Sequence, residues 1–410
     1  MSFTYQNQIL QAESVAITDL VAHYGSPLYV YSRSTIEDNW REFDQAFGDH
    51  PHLVCYAVKA NSNLGVLNAL AVLGAGFDIV SQGELERVLA AGGQANRCVF
   101  SGVAKTQQEI TRALQVGVRC FNVESSAELD RIESVAKSLN TQAPISIRVN
   151  PNVDAKTHPY ISTGLKENKF GVDIDDAIEL YERANRSSHL SVTGMDCHIG
   201  SQITEVSPFL DALDKVLELS AQLAQRGIEI SHLDLGGGVG IVYDDEQTID
   251  IQAYIDQVVQ KVGGIEIILE PGRAIVGNAG IFVTKVEFLK QNSEHSFAIV
   301  DGAMNDLLRP SFYNAYHQVL PVNQAAQGIQ ASWDLVGPIC ETGDFLAKNR
   351  ALSLSQGDYL ALMSAGAYGF TMSSNYNSRP RVAEVMVSGD QHKLIRERET
   401  IQDLFEKEHF

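Results

Sequence analysis

Eight short runs rich in β-branched and aromatic residues alternate with stretches of helical periodicity, and that alternation constrains the fold more than any other feature. The runs are LVCYAV from Leu53, FDIVS from Phe77, CVFS from Cys98, RCFNV from Arg119, PISIRVN from Pro144, VTGMDCH from Val192, ISHLDLG from Ile230 and IEIILE from Ile265. Between them lie GELERVLAAG from Gly83, QQEITRALQ from Gln107, SSAELDRIESVAKSL from Ser125 and SPFLDALDKVLELSAQLAQRG from Ser207, with apolar residues at helical spacing. Strand and helix in strict alternation imply parallel βαβ units. No Gly-x-Gly-x-x-Gly follows the first run, so a closed (β/α)8 TIM barrel is expected rather than an open doubly wound sheet.

After Gly280 the pattern changes. AGIFVTKVEFLKQ, HSFAIVDG, SWDLVGPIC, GDYLALMSAG and RVAEVMVSG read as strands with little helix between them. In the first of these, Phe282, Val286 and Phe288 are expected on one face, opposite Val283, Lys285 and Glu287, as in a half-buried strand. The expected organisation is an N-terminal segment, 1–31, packing with the β domain through SPLYVYS around Tyr29. A barrel over 32–279 follows, then a C-terminal all-β domain over 280–410, closed by a helix in KLIRERETIQDLFEKE.

Charge narrows the ligand class. Lys plus Arg number 31 against 51 Asp plus Glu, a formal net charge of −20. Such a surface repels phosphate backbones and anionic lipid, so neither nucleic acid nor a membrane is an expected partner, and a small molecule is. Of the five cysteines, Cys55, Cys98, Cys120 and Cys197 stand in apolar runs and read as core thiols, whereas Cys340 stands in the loop-like GPICETGD. The spacing gives no disulfide framework and no metal knuckle, so no metal is expected. The start, MSFTYQNQILQAES, lacks a basic and apolar signal pattern, and no run is long enough to span a membrane, so the expected location is cytoplasmic.

In a barrel of this kind, functional side chains gather where strands end and the following loops begin. Those positions hold Lys59, Asp78, Ser81, Arg148, Asn150, His198, Ser201, the triple glycine Gly236–Gly238, and Glu270 in EPGR. Singly each has an ordinary reading: a solvated lysine, a tight turn, a core histidine, or an ion pair of Glu270 with Arg273. Together they match the needs of pyridoxal 5'-phosphate. That cofactor takes an amine for a Schiff base, a phosphate cradle of backbone N–H groups, a group against its ring, and a partner for its pyridine nitrogen. Lys59, Gly236–Gly238, His198 and Glu270 supply one of each. A carboxylate at the nitrogen favours the protonated, electron-withdrawing ring that decarboxylation needs.

YAVKAN, HIGSQ, the triple glycine, EPGR, LLRPSFYNAYH, CETGDFLAKNR and GAYGFTMSSNYNSRPR, in that order from about Ser26 to the tail, together resemble the diaminopimelate decarboxylase family of lysine biosynthesis. The resemblance implies a fold type III pyridoxal phosphate enzyme, with an alanine-racemase-like barrel and a C-terminal β domain. It implies Lys59 as the Schiff-base lysine, His198 stacked on the ring, and Asp78, Ser201, Gly237, Gly238, Pro271, Gly272, Arg273 and Tyr368 about the cofactor, with Glu270 at its nitrogen. It implies Arg273, Arg309, Tyr313, Glu341 and Tyr368 as substrate-binding residues. Cys340 is implied as the proton donor, reached with Glu341 from the partner subunit of a homodimer.

The chemistry of the residues bears on substrate choice. Arg309 with Arg273 suits a distal carboxylate, which guanidinium binds in bidentate fashion, and Glu341 suits a distal ammonium. The bland alternative pairs Arg309 with a nearby acid such as Asp306. A substrate with an amino acid at each end, meso-diaminopimelate, would use all three residues, giving L-lysine and CO2 by loss from its D centre. The runner-up readings are an ornithine, arginine or carboxynorspermidine decarboxylase on the same fold, and a non-catalytic decarboxylase-like regulator. Retention of both Lys59 and Cys340 argues against the regulator. Arg148 admits two readings, a contact near the cofactor's phenolic oxygen or a barrel ion pair.

Overall fold

The computed structural model describes residues 3–153 and 169–410. The chain divides into two compact units, one of residues 38–241 and 247–274, the other of residues 1–37, 242–246 and 275–410.

The first unit is a barrel of eight parallel strands: β1 (His52–Ala57), β2 (Gly76–Ile79), β3 (Cys98–Phe100), β4 (Cys120–Val123), β5 (Ala143–Asn150), β6 (Leu190–Asp196), β7 (His232–Asp234) and β8 (Glu266–Leu269). Each pairs with the next, and β8 pairs back onto β1 to close the ring. Strands β2, β3 and β4 are buried at every position, which is why they read as continuous apolar runs rather than alternating ones. Leu53, Cys55, Val99, Cys120 and Ile268 form a buried cluster drawn from β1, β3, β4 and β8. Burial first, and then nearby carboxylates, push the Cys55 thiol well up, so it stays protonated and apolar in character.

The helices follow local signals. Thr106 and Glu109 form a capping box at the start of helix Gln107–Val116, Ile110 and Ala113 fall on its buried face, and Gly117 ends it at φ 76°. Ser81 caps helix Gln82–Ala90 by accepting from the Glu84 N–H, so this strand-end serine serves the backbone.

In the second unit, strand Leu28–Ser32 lies between strand Gly280–Gln291, antiparallel to it, and strand Ala383–Ser388, parallel to it. The early SPLYVYS run thus joins a sheet built from the last third of the chain. Leu10, Ala12, Val15, Ile17, Val30, Ile281, Val283 and Val385 share one buried cluster.

Three expectations need correction. The tail forms no closing helix: Lys393–Arg396 belongs to strand Gln391–Arg396, hydrogen-bonded to Ala383–Ser388, and only a 3-10 turn, Gln402–Leu404, follows. Ile401 is 63% and Phe405 49% exposed, so these residues have no buried apolar face to stabilise a helix. Strand Gly280–Gln291 is not half-buried throughout. Its first five residues are buried on both faces, and a register shift between Val286 and Phe288 leaves Phe288 59% exposed. Strands Val319–Pro321 and Phe345–Leu354 also belong to this unit; the latter's KNR interrupts the apolar pattern and hid it.

Candidate active site

Most of the expected cofactor residues lie at the ends of β1, β2, β6, β7 and β8, on the barrel unit. β1 runs directly into a 3-10 turn, Val58–Ala60, which carries Lys59. The turn is fixed by its own sequence: Tyr56 Oη donates to the Asn61 carbonyl at 3.0 Å, and Asn63 caps the next helix through the Gly65 N–H at 2.8 Å. Lys59 Nζ donates to Asp78 Oδ2 at 2.6 Å. Asp78, on β2, is fully buried, and its other oxygen has no hydrogen-bond partner among the described residues.

The glycine turn after β7 is bound on every side. The Gly236 N–H donates to Asp234 Oδ1 at 2.9 Å, the Gly237 N–H to His198 Nδ1 at 3.0 Å, and the Gly238 carbonyl accepts from the Ile203 N–H at 2.9 Å. A Cβ at Gly237 would meet the Glu270 carbonyl oxygen at 2.1 Å, and Gly238 sits at φ +107° with a Cβ position 2.5 Å from the Gly200 carbonyl oxygen. No other residue type fits there. His198 accepts at Nδ1, so its Nε2 carries the proton. Burial, then the charges of Arg148 and Lys59, hold its pKa well below the usual histidine value, so it is neutral.

Glu270 follows β8, and Pro271 and Gly272 fold against the end of β1. The Pro271 carbonyl accepts from the Ala57 N–H at 3.2 Å, and a Cβ on Gly272 would lie 3.0 Å from that of Ala60. Arg273 Nη2 donates to Ser201 Oγ at 3.1 Å. Glu270 is 5% exposed and sits in an acidic cluster with Asp196 and Asp234, one carboxylate oxygen of each lying within 4.8 Å of the others. Burial, then Asp234, Asp78 and Asp196, raise its pKa well above the carboxylate range, and Asp234 is pushed up to about 7, chiefly by burial. A buried carboxyl so placed is stabilised as an anion only by a cation brought to it, which is what a protonated pyridine nitrogen would be. A lysine amine, the half-buried Gly238 at the end of the glycine turn, a neutral histidine and this carboxyl fit pyridoxal phosphate.

Sequence reasoning missed the polar residues behind Glu270. Asn122 of β4 donates from Nδ2 to Ser101 Oγ at 3.2 Å, to Asp234 Oδ2 at 3.4 Å and to Glu270 Oε1 at 3.4 Å. A polar residue inside the apolar RCFNV run was the available signal. Arg148 forms a barrel ion pair, with Nη1 2.9 Å from Glu124 Oε1.

The remaining expected residues lie on the second unit. Arg309, 7% exposed, opens the short helix Arg309–Tyr313; its Nη1 donates to His317 Nε2 at 2.9 Å, and its guanidinium carbon lies 4.5 Å from the Tyr243 ring centroid. Tyr313, in the same helix, is half-buried, and its ring meets that of Phe312 edge-on at 4.7 Å. The CET loop is shaped by buried Asp344, which accepts from the Ile339 and Met304 N–H groups at 2.8 and 2.7 Å. Cys340 is the exposed cysteine, the other four being buried. Its N–H donates to Asn377 Oδ1 at 2.9 Å, and Tyr376 Oη donates to Glu341 Oε2 at 2.7 Å. Tyr368 holds φ +56°, a left-handed conformation that a tyrosine keeps only where its surroundings impose it.

Residues 33–277 match the family described as "Pyridoxal-dependent decarboxylase, pyridoxal binding domain". Over 406 residues the chain is 56% identical to a diaminopimelate decarboxylase of Haemophilus influenzae, covering 98% of both chains. It is 57% identical to one of Vibrio cholerae over 407 residues, covering 98% of this chain and 97% of that one. The crystal structure of diaminopimelate decarboxylase from Helicobacter pylori complexed with L-lysine superposes with a TM-score of 0.92 at 42% identity, covering 95% of this chain and 98% of that chain. With the pyridoxal-binding match spanning the barrel and the relatives spanning both units, the chain belongs to the diaminopimelate decarboxylase family of pyridoxal-dependent decarboxylases.

Proposed function

We propose that this chain decarboxylates meso-diaminopimelate at its D centre, releasing L-lysine and CO2, with pyridoxal 5'-phosphate as cofactor. The observation that carries the reading is the buried carboxyl of Glu270, a residue whose peptide N–H donates to the Gly236 carbonyl of the glycine turn at 2.8 Å. Lys59, His198, Ser201, Gly237, Gly238, Glu270, Pro271, Gly272 and Arg273 would hold the cofactor, with Asp78 steadying the Lys59 amine and Tyr368 assigned to it by the family resemblance. When bound, pyridoxal phosphate supplies an electron sink for the bonding pair that departing CO2 leaves behind.

The protein's own groups do the rest. Glu270 presents its carboxyl to the position of a ring nitrogen and stabilises positive charge there. His198, neutral and held by Gly237, offers an apolar ring face with its orientation fixed. Arg309 binds a carboxylate at the end of the substrate remote from the chemistry, with Tyr313 and Arg273 assigned to the same task by resemblance. Glu341 receives the ammonium of that remote end. Cys340 delivers a proton to the carbon from which CO2 leaves, a task a thiol can perform as a general acid.

The same resemblance supports a homodimer in which Cys340 and Glu341 serve the partner's site, a cytoplasmic location, and a division of the chain near residues 31 and 279. Among the described residues no helix is long and apolar enough to cross a membrane. The deciding experiment follows lysine release from meso-diaminopimelate by purified protein with added pyridoxal phosphate, with L-ornithine and L-arginine run in parallel. Selective lysine formation is expected. Turnover of ornithine or arginine instead would keep the cofactor chemistry and overturn the substrate.

A further inference from the structure

Arg309 is a buried guanidinium, and one of its hydrogen-bond partners is an imidazole rather than a carboxylate. Its Nη1 donates to Nε2 of His317 at 2.9 Å. His317 is 0% exposed, and its Nδ1 donates to the Met363 carbonyl at 2.8 Å. With the proton committed to Nδ1, Nε2 is left as an acceptor, and the imidazole is neutral. The Tyr243 ring completes the box, 4.5 Å from the Arg309 guanidinium carbon and edge-on to His317 at 5.5 Å. A hydrogen bond along one edge and an aromatic ring against the group together fix the plane of the guanidinium.

The choice of partner matters. An aspartate or glutamate in place of His317 would orient Arg309 equally well, but it would neutralise the charge and compete with any carboxylate arriving from outside. A neutral acceptor orients the fork and leaves its positive charge uncompensated by that contact. We propose that His317 is a positioning residue for substrate selection: it aims Arg309 at the remote carboxylate of the substrate without cancelling its charge. The inference rests on the reading of Arg309 as the remote-carboxylate group and deepens it.

Two substitutions separate orientation from packing. His317→Gln can place an amide oxygen near the Nε2 position and keep the contact to Arg309. His317→Asn places its amide near Nδ1, keeping a polar group beside the Met363 carbonyl while losing reach to Arg309. His317→Phe keeps the ring volume and loses both contacts. The enzyme with cofactor bound is assayed for KM and kcat with meso-diaminopimelate. Inhibition is measured with L-lysine, which retains the remote carboxylate, and with cadaverine, which lacks it.

The Asn and Phe variants are expected to raise KM by about ten- to hundredfold, the loss that goes with one hydrogen bond to a charged group. L-lysine inhibition should weaken in step, while kcat and cadaverine inhibition stay within about threefold of the parent and Gln restores most of the KM. An unchanged KM in Asn, or a loss shared equally by cadaverine and kcat, overturns the inference. Thermal melting of each variant guards against a Phe variant that fails to fold, in which case Asn and Gln decide. Failure of the parent enzyme to act on meso-diaminopimelate would instead overturn the substrate reading, so the two failures are distinct.

Discussion

The peptide N–H of Glu270 donates to the carbonyl of Gly236 at 2.8 Å, so the carboxyl proposed for the ring nitrogen and the turn proposed for the phosphate are one rigid piece of backbone. Their separation is set by the β7–β8 register, where His232 pairs with Glu266 and Asp234 with Ile268. A cofactor that must touch both ends is thereby measured against the barrel itself, and binding requires little reordering.

Gly237→Ala should therefore damage both contacts at once. The added Cβ would fall 2.1 Å from the Glu270 carbonyl oxygen, so either the turn or the Glu270 peptide must move. The expected outcome is at least about a tenfold loss of pyridoxal phosphate affinity, as one good hydrogen bond or more is misplaced. Cofactor titration followed by absorbance checks it; wild-type affinity would contradict the rigid-cradle account.

Glu270→Gln keeps the shape of the side chain and removes its ability to become an anion. With cofactor saturating, kcat should fall by about a hundredfold, the scale of losing one pre-positioned electrostatic group. KM for the substrate should move much less, because the remote end is read elsewhere. Steady-state kinetics give both numbers.

Lys59→Ala and Cys340→Ala should each be inactive, or nearly so, as homodimers. If one subunit's Lys59 works with the other's Cys340, mixing the two variants under exchange conditions builds heterodimers with one intact site. Random pairing then restores about a quarter of the parental activity. Recovery of none, with exchange verified by mass, would argue that both residues act within one chain.

Burial pushes Asp306 up to about 7, although Arg379 and Arg398 favour its anion. An unfolded aspartate titrates near 3.9. Between those values the folded chain holds the extra proton, so the stability this group contributes is fully present below about pH 4 and is lost as pH rises through about 7. Asp306→Asn cannot titrate, so relative to the parent it should gain stability with increasing pH, with a slope approaching about 1.4 kcal/mol per unit inside that window. Denaturant melts at pH 5 and pH 8 test the direction; a parent that gains on the variant between them would refute it.

The barrel was legible because its signals are local. Eight apolar runs mark strands buried on both faces, Thr106 with Glu109 marks a helix start, and Gly117 marks its end. Lys59, His198, the glycine turn and Glu270 could be found because a barrel puts functional groups at strand ends, and strand ends are visible in sequence. The tail misled for a complementary reason. Ile395, Ile401, Leu404 and Phe405 stand among charged residues as the apolar positions of a helix would, yet Gln391–Arg396 pairs with Ala383–Ser388 and takes Ile395 into a strand.

By itself, the sequence determined the strand order, the residue types at the barrel's loop ends and the chemistry those types permit. Only the tertiary structure decided which polar groups face each other across the chain. Asn122 reaches Glu270 across 148 residues, and Asp78 meets Lys59 from the neighbouring strand. His317, eight residues from Arg309, meets it only because a left-handed Asn314, at φ +53°, ends the intervening helix and turns the chain back. Propensity and periodicity act over a few residues and fix local elements. The pKa of Glu270 and the orientation of Arg309 depend on burial and on neighbours brought close by the fold, which exist only once the elements have packed.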